Sequence, residues 1–251
     1  MRLDQQIRQA ADLITQAKNI VAMTGAGIST PSGIPDFRSP YSGLWDQADP
    51  LDVASIFAFR HSPQHFYNWV HPLSRLLLEA QPNPAHYALA ALEQEGKLKA
   101  IITQNIDDLH GKAGSKTVYE LHGHLREVTC TQCHEALDSA EVFAKFVKDG
   151  QVPRHRCGGV LKPNVILFGE QLPVREFVLA QLATKEADLM LMVGSSLEVA
   201  PASDLPELAL ANGAKLIIIN YQPTYLDQQA DLVIHAEVAE VLPRIVNLVR
   251  V

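Results

Sequence analysis

The 251-residue chain has little cysteine, few aromatic side chains and no excess of positive charge. Each shortage excludes something. Three cysteines cannot close an even disulfide framework, and Cys130, Cys133 and Cys157 fall within one short stretch, so in a reducing compartment they point to metal rather than to bridges. Lys+Arg number 21 against 28 Asp+Glu, a net charge of −7, which argues against a nucleic-acid partner held by bulk charge. No apolar run approaches the ~20 residues of a membrane span; the longest are 189–193 and 216–219. The opening segment breaks its apolar positions with Asp, Gln and Arg, so it has no signal-peptide core, and a cytoplasmic location is expected.

What remains is a globular composition, 47% apolar and 20% charged, long enough for one large α/β domain carrying a smaller insertion. Apolar residues at helical spacing predict a helix over 2–17. The run Asn19–Thr24 ends in Gly25-Ala26-Gly27, the usual opening of a nucleotide-binding α/β unit. Short β-rich runs follow at 100–103, 117–120, 189–193, 216–219 and 232–234, with helical patterns at 85–95, 174–185 and 203–212 between them. That rhythm predicts an α/β fold with a parallel sheet covered by helices on both faces. Two segments interrupt it. Residues 41–84 hold Trp45, Phe57, Phe59, Phe66, Tyr67 and Trp69 together with Pro50, Pro63, Pro72 and Pro82, and read as a helical insertion with loops. Residues 125–161 hold all three cysteines and suit a small metal-stapled module. The expected division is a discontinuous large domain (1–40, 85–124, 162–251) and a small domain built from the two insertions, with ligands in the crevice beyond the strand ends.

Four motifs carry chemistry. In Gly25-Ala26-Gly27-Ile28-Ser29-Thr30, two glycines would let backbone N–H groups approach a pyrophosphate at a helix start. Thr30 stands where a hydride-transfer fingerprint wants a third glycine, and Asp36-Phe37-Arg38 is hard to explain as turn filler. In Thr103-Gln104-Asn105-Ile106-Asp107-Asp108-Leu109-His110, amide and carboxylate groups at a strand end suit ribose and carboxamide recognition; alternatively Asn105 or Asp107 merely caps the next helix. In Glu120-Leu121-His122-Gly123, a histidine followed by glycine can sit open to a pocket as a general base. Cys130-x-x-Cys133 followed by His155-x-Cys157 reads as a Cys3His zinc site, with His134 a less favourable fourth ligand and a metal-free knuckle the alternative.

Taken in order, GAGIS, GIPDFRS, TQNID, LHG, the Cys-x-x-Cys pair, CGG with KPNVILFGE, GSS and IIIN resemble the sirtuin family of NAD-dependent protein deacylases, from about Gly25 to Asn220. The resemblance implies a Rossmann-like, doubly wound large domain, a zinc-bearing small domain, and a cleft that takes NAD and an acyl-lysine protein or peptide from opposite sides. It implies that Gly25, Ala26 and Gly27 cradle phosphates, with Ser29, Asp36, Phe37 and Arg38 around the nicotinamide ribose. Gln104, Asn105, Ile106 and Asp107 would hold ribose and nicotinamide, Asn105 with a catalytic part, and His122 would be the base. Gly194, Ser195, Ser196 and Asn220 would hold the adenosine side, while Val165, Leu167, Phe168 and Gly169 would pair with the peptide backbone by strand addition. NAD would be consumed, giving nicotinamide, O-acyl-ADP-ribose and free lysine.

Two departures matter. The family usually supplies four cysteines, and here there are three. Its desuccinylase branch places Tyr and Arg three apart in the helical insertion, where alignment from Pro63 puts Val70 and Leu73. A succinyl carboxylate would find no cation there, so an apolar acyl tunnel and a preference for acetyl or longer fatty acyl groups are expected. An ADP-ribosyltransferase or NAD glycohydrolase on the same cleft, and a non-catalytic NAD-sensing module, are the competing readings.

Overall fold

The computed structural model describes residues 2–37, 43–44 and 48–249. The chain opens with helix α1 (Leu3–Gln16) and strand β1 (Ile20–Thr24). Helices α2 (Pro50–Val53), α3 (Ile56–His61), α4 (Pro63–Glu79) and α5 (Pro84–Gln94) lead to β2 (Leu98–Thr103), α6 (Leu109–Ala113) and β3 (Val118–Glu120). Then come β4 (Gly123–Cys130), β5 (Ala136–Asp138), α7 (Ala140–Asp149) and β6 (Leu161–Val165). The last part holds α8 (Val174–Glu186), β7 (Leu189–Val193), α9 (Leu205–Ala211), β8 (Lys215–Ile219), β9 (Leu232–Ile234) and α10 (Val238–Val249).

Six strands form one parallel sheet in the order β3-β2-β1-β7-β8-β9. The order reverses between β1 and β7, and there the connections leave for opposite faces, opening a crevice at the carboxyl ends. Alternation along each strand fills two cores. Ile20, Ala22, Leu191 and Ile217 pack against α1, α5 and α10 on one face, whereas Val21, Met23, Met192 and Ile218 pack against α8 and α9 on the other. Burial on both faces explains why these strands read as unbroken apolar runs. Among the described residues no helix is long and apolar enough to cross a membrane.

A second, three-stranded sheet, β5-β4-β6, is antiparallel and packs with α3, α4 and α7. Its core is aromatic: Phe59, Phe66, Tyr67 and Phe146 meet edge-on or tilted, with Phe66–Tyr67 and Tyr67–Phe146 centroids 5.2 and 5.1 Å apart. The buried Tyr67 hydroxyl donates to the Leu161 carbonyl, tying α4 to β6. Trp45 lies outside the described residues. One detail departs from the sequence reading. Residues 162–165, expected in the large domain, pair with β4 in the small sheet, because Lys162 and Pro163 take their register opposite Thr129 and Val128. Pro72 sits inside the 17-residue helix α4.

Candidate active site

The carboxyl ends of β1, β2, β7 and β8 face the small lobe across a cavity of about 1440 Å3, larger than one drug-sized ligand fills. The segment after β1 brings Gly25, Ala26, Gly27, Ser29, Asp36 and Phe37 to its wall, and the turn after β2 brings Gln104, Asn105, Ile106 and Asp107. Gly194, Ser195 and Ser196 follow β7, Asn220 follows β8, and Val165, Leu167, Phe168 and Gly169 enter from the small-lobe side with His122. Arg38 lies outside the described residues.

The glycines meet a packing requirement that the sequence did not suggest. The segment after β1 forms two 3-10 turns, Ala26–Ile28 and Thr30–Ser32, rather than the start of a regular α-helix, so the helix-dipole argument for phosphate does not carry over. A Cβ on Gly27 would lie 2.9 Å from both the Cα and the carbonyl oxygen of Gly194, and one on Gly25 would lie 2.8 Å from that oxygen. The β1 and β7 turns thus touch backbone to backbone, and Gly27 N donates to Gly194 O at 2.9 Å. Close approach of the two loops excludes side chains here, whatever binds above them.

The two readings of the β2 turn divide between its residues. Asp107 does cap: Oδ1 accepts from Leu109 N at 3.0 Å, at the start of α6. Its other oxygen accepts from Ser29 Oγ at 2.7 Å. Burial pushes the Asp107 carboxyl up, and these two hydrogen bonds offset part of that rise. Asn105 does not cap. Its Nδ2 donates to Gly25 O and to Ser29 Oγ, both at 3.1 Å, so its amide is held by the β1 segment.

His122 sits in the link between β3 and β4, where the chain passes from the large sheet to the small one. Its Nδ1 lies 3.0 Å from the carbonyl oxygen of Gln104. A carbonyl only accepts, so Nδ1 carries the proton and Nε2 keeps a lone pair. Burial, which favours the neutral imidazole, lowers the pKa of the ring below the ordinary 6.5, and the Gln104 bond partly counters it. Gly123 has φ +75°, and a Cβ there would lie 2.1 Å from Asn164 O. The following glycine therefore lets β4 approach β6.

Part of the cavity wall is apolar, including Phe66, Trp69, Val70, Leu73, Leu125 and Phe143. Among the described lining residues none is Lys or Arg. Phe66, Trp69, Leu125 and Phe143 were not singled out in the sequence as site residues; the density of aromatics in 41–84 was the available signal. Asn83 was also missed: its Nδ2 holds Ile28 O at 2.7 Å and Ser32 Oγ at 2.9 Å, pinning the β1 segment from behind. The segment expected to pair with a peptide is already partly engaged, since Phe168 N donates to Ala54 O and Phe168 O accepts from Ile56 N, both at 2.9 Å.

Apart from the cavity, Cys130, Cys133, His155 and Cys157 bring their ligand atoms within 4.8 Å of one another. Cys130 and Cys157 sulfurs are 3.5 Å apart, and His155 Nδ1 is 3.2 Å from the sulfurs of Cys133 and Cys157. Those separations approach the ~3.5–3.8 Å edges of a tetrahedron with metal–sulfur bonds of about 2.3 Å, so the donor set fits Zn2+. Backbone N–H donation from Cys133 brings the Cys130 thiol down to about 6, toward the thiolate a metal needs. His155 Nε2 lies 3.4 Å from Glu135, the carboxylate contact that orients a ligating ring. A Cβ on Gly159 would lie 2.5 Å from Cys130 Sγ, which explains a glycine beside the cluster. His134 is exposed, with φ +60°, and is outside the cluster.

Comparison with known proteins identifies the family. The chain is 47% identical over 247 residues to an NAD-dependent protein deacetylase of Sulfolobus acidocaldarius, covering 98% of this chain and 96% of the relative. It superposes with a TM-score of 0.91 and 39% identity on a Sir2 variant solved with a deacetylated p53 peptide and 3′-O-acetyl ADP-ribose, covering 96% and 97% of the two chains. A Sir2 protein bound to a myristoylated histone peptide matches with a TM-score of 0.86 and 43% identity over 98% and 97%. The Sir2 family model matches residues 25–201. By sequence, fold and the cavity they build together, this chain belongs to the Sir2 family.

Proposed function

We propose that this protein is an NAD-dependent protein-lysine deacylase, releasing nicotinamide, free lysine and the acyl group on ADP-ribose. The observation that carries the reading is His122: an imidazole with Nδ1–H committed to the Gln104 carbonyl and its Nε2 lone pair left as a base, on the wall of a cavity lined by both polar and apolar side chains. The relatives' names and bound molecules support the same chemistry.

NAD, when bound, supplies a ribose carbon from which neutral nicotinamide can leave. The backbone of Gly25, Ala26 and Gly27 would hold the phosphates, and Ser29, Asp36, Phe37 and Arg38 would surround the nicotinamide ribose. Gln104, Asn105, Ile106 and Asp107 would fix ribose and carboxamide, and Gly194, Ser195, Ser196 and Asn220 would take the adenosine half. His122 would accept a ribose hydroxyl proton at Nε2. Val165, Leu167, Phe168 and Gly169 would present the peptide edge, with Phe168 itself already bonded to 54–56. Cys130, Cys133, Cys157 and His155 would hold Zn2+, which staples the small lobe and performs no step. The large domain would comprise 1–40, 85–124 and the chain beyond β6.

The acyl chain would extend along Val70, Leu73 and their aromatic neighbours. A carboxylate there would lose its hydration with no described cation to replace it. Mass spectrometry of products from NAD and an acetyl-lysine peptide tests the reading. O-acetyl-ADP-ribose supports it; ADP-ribosylated protein, peptide-independent nicotinamide release, or no turnover would sink it. Faster hydrolysis of succinyl-lysine than of acetyl-lysine would refute the apolar channel.

A further inference from the structure

Behind Asn105, on the side away from the cavity, the structure buries a polar chain that the chemistry above does not use. Thr24 and Thr103 are the last residues of β1 and β2 and stand in register. Thr24 Oγ1 donates to Thr103 Oγ1 at 2.9 Å. His110 Nε2 lies 2.9 Å from Thr24 Oγ1 on the other side. Asn105 N–H donates to Thr103 Oγ1 at 3.1 Å. All three side chains are at most 3% exposed.

The directions follow from one another. Thr24 gives its only proton to Thr103, so the imidazole must donate to Thr24 through Nε2–H. Burial and the neighbouring His86 ring, 4.9 Å away, lower the pKa of His110 to about 3, which keeps the ring neutral and able to act as that single donor. Valine would fill either threonine site without burying a hydroxyl, so packing alone gives no reason for this set. What the set does hold is a backbone group. Asn105 N–H lies past the end of β2, beyond the sheet ladder, and a half-buried N–H there needs a partner. Threonine, stiff at χ1, offers its oxygen at a fixed place.

We infer that His110, Thr24 and Thr103 are positioning residues: a buried imidazole–hydroxyl relay that fixes the backbone of Asn105 from behind while Gly25 and Ser29 hold its amide from the front. The inference rests on the deacylase reading, in which Asn105 contacts the reacting ribose.

The test compares Thr24→Val, Thr103→Val, the double variant and Thr24→Ser in the full-length protein, following nicotinamide release with NAD and an acetyl-lysine peptide. Each valine should lower kcat about tenfold or more, since displacements near 1 Å can cost ~100-fold, while KM for the peptide stays unchanged. The double variant should lose no more than the worse single, as expected for members of one chain. Thr24→Ser, which restores the hydroxyl, should recover most of kcat. Should a valine variant fail to fold, His110→Phe removes the far donor, keeps a ring, and carries the same expectation. Unchanged kcat in folded valine variants, or additive losses shared equally by kcat and KM, would overturn the relay and leave the deacylase reading standing. Absence of turnover in the unmodified protein would overturn the reading beneath it.

Discussion

Gly27→Ala separates two reasons for a glycine-rich turn. If glycine serves only the approach of a pyrophosphate, alanine should raise KM for NAD and leave the unliganded protein as stable as before. The structure supplies another reason. The new methyl would stand 2.9 Å from the Cα and the carbonyl oxygen of Gly194, whereas carbon contacts normally rest at about 3.5–4.0 Å. One turn must therefore move by several tenths of an ångström, and both are backbone. Gly194 has little room to yield: its φ is +62°, and its own Cβ position lies 2.4 Å from Ile28 N. Overpacking of this kind costs about 1–3 kcal/mol. For a chain of this size each kcal/mol moves Tm by about 2–4 °C, so a fall of roughly 2–12 °C is expected without any ligand. The displacement would also disturb Gly25 O, which accepts from Asn105 Nδ2 at 3.1 Å. Calorimetry of the ligand-free variant, with KM for NAD and kcat measured alongside, reads all three effects. An unchanged Tm beside a raised KM would refute the loop-packing argument.

Replacing His122 with Asn should lower kcat/KM by about 10²–10⁴, the usual worth of a general base, and the unmodified enzyme's pH–rate profile should be flat at neutral pH and fall only below the ordinary histidine value, because burial holds this ring's pKa down; an acid limb above 6.5 would contradict the assignment. His155→Ala should reduce bound zinc and lower Tm, whereas His155→Cys should retain zinc, both read by metal analysis; full zinc in His155→Ala would remove that ring from the ligand set. His86 and His110 titrate at about 4 and about 3 in the folded protein against 6.5 unfolded. Their stabilising contribution is therefore complete above pH 6.5 and is lost as pH falls toward the folded values, so denaturant midpoints should drop below pH 6.5 and drop less in His86→Phe.

Some of this was open to reading along the chain because the cause is local. Leu189–Val193 and Leu216–Ile219 are apolar at every position, and only strands covered on both faces tolerate that, so a parallel sheet followed without knowledge of its strand order. Cys130, Cys133 and Cys157 announced a metal by residue type alone. Other features depended on partners far away in sequence. Lys162–Val165 looks like any short extended run, and only its register against Gly123–Cys130 assigns it to the small sheet. His134 and His155 are equally good imidazoles by composition; backbone conformation at the knuckle exposes one and brings the other to the sulfurs.

Residue chemistry by itself determined the layered α/β plan, the thiolate-rich cluster and the inventory of groups able to hold a dinucleotide, because hydrophobic periodicity and ligand type are properties of single positions. Tertiary structure alone decided what each group faces. Gly27 packs against Gly194, Gly123 against Asn164, and Thr24 against Thr103 and His110. Those contacts join residues tens of positions apart, and a close approach between two distant backbones leaves no mark on the sequence except a glycine, which has many other uses.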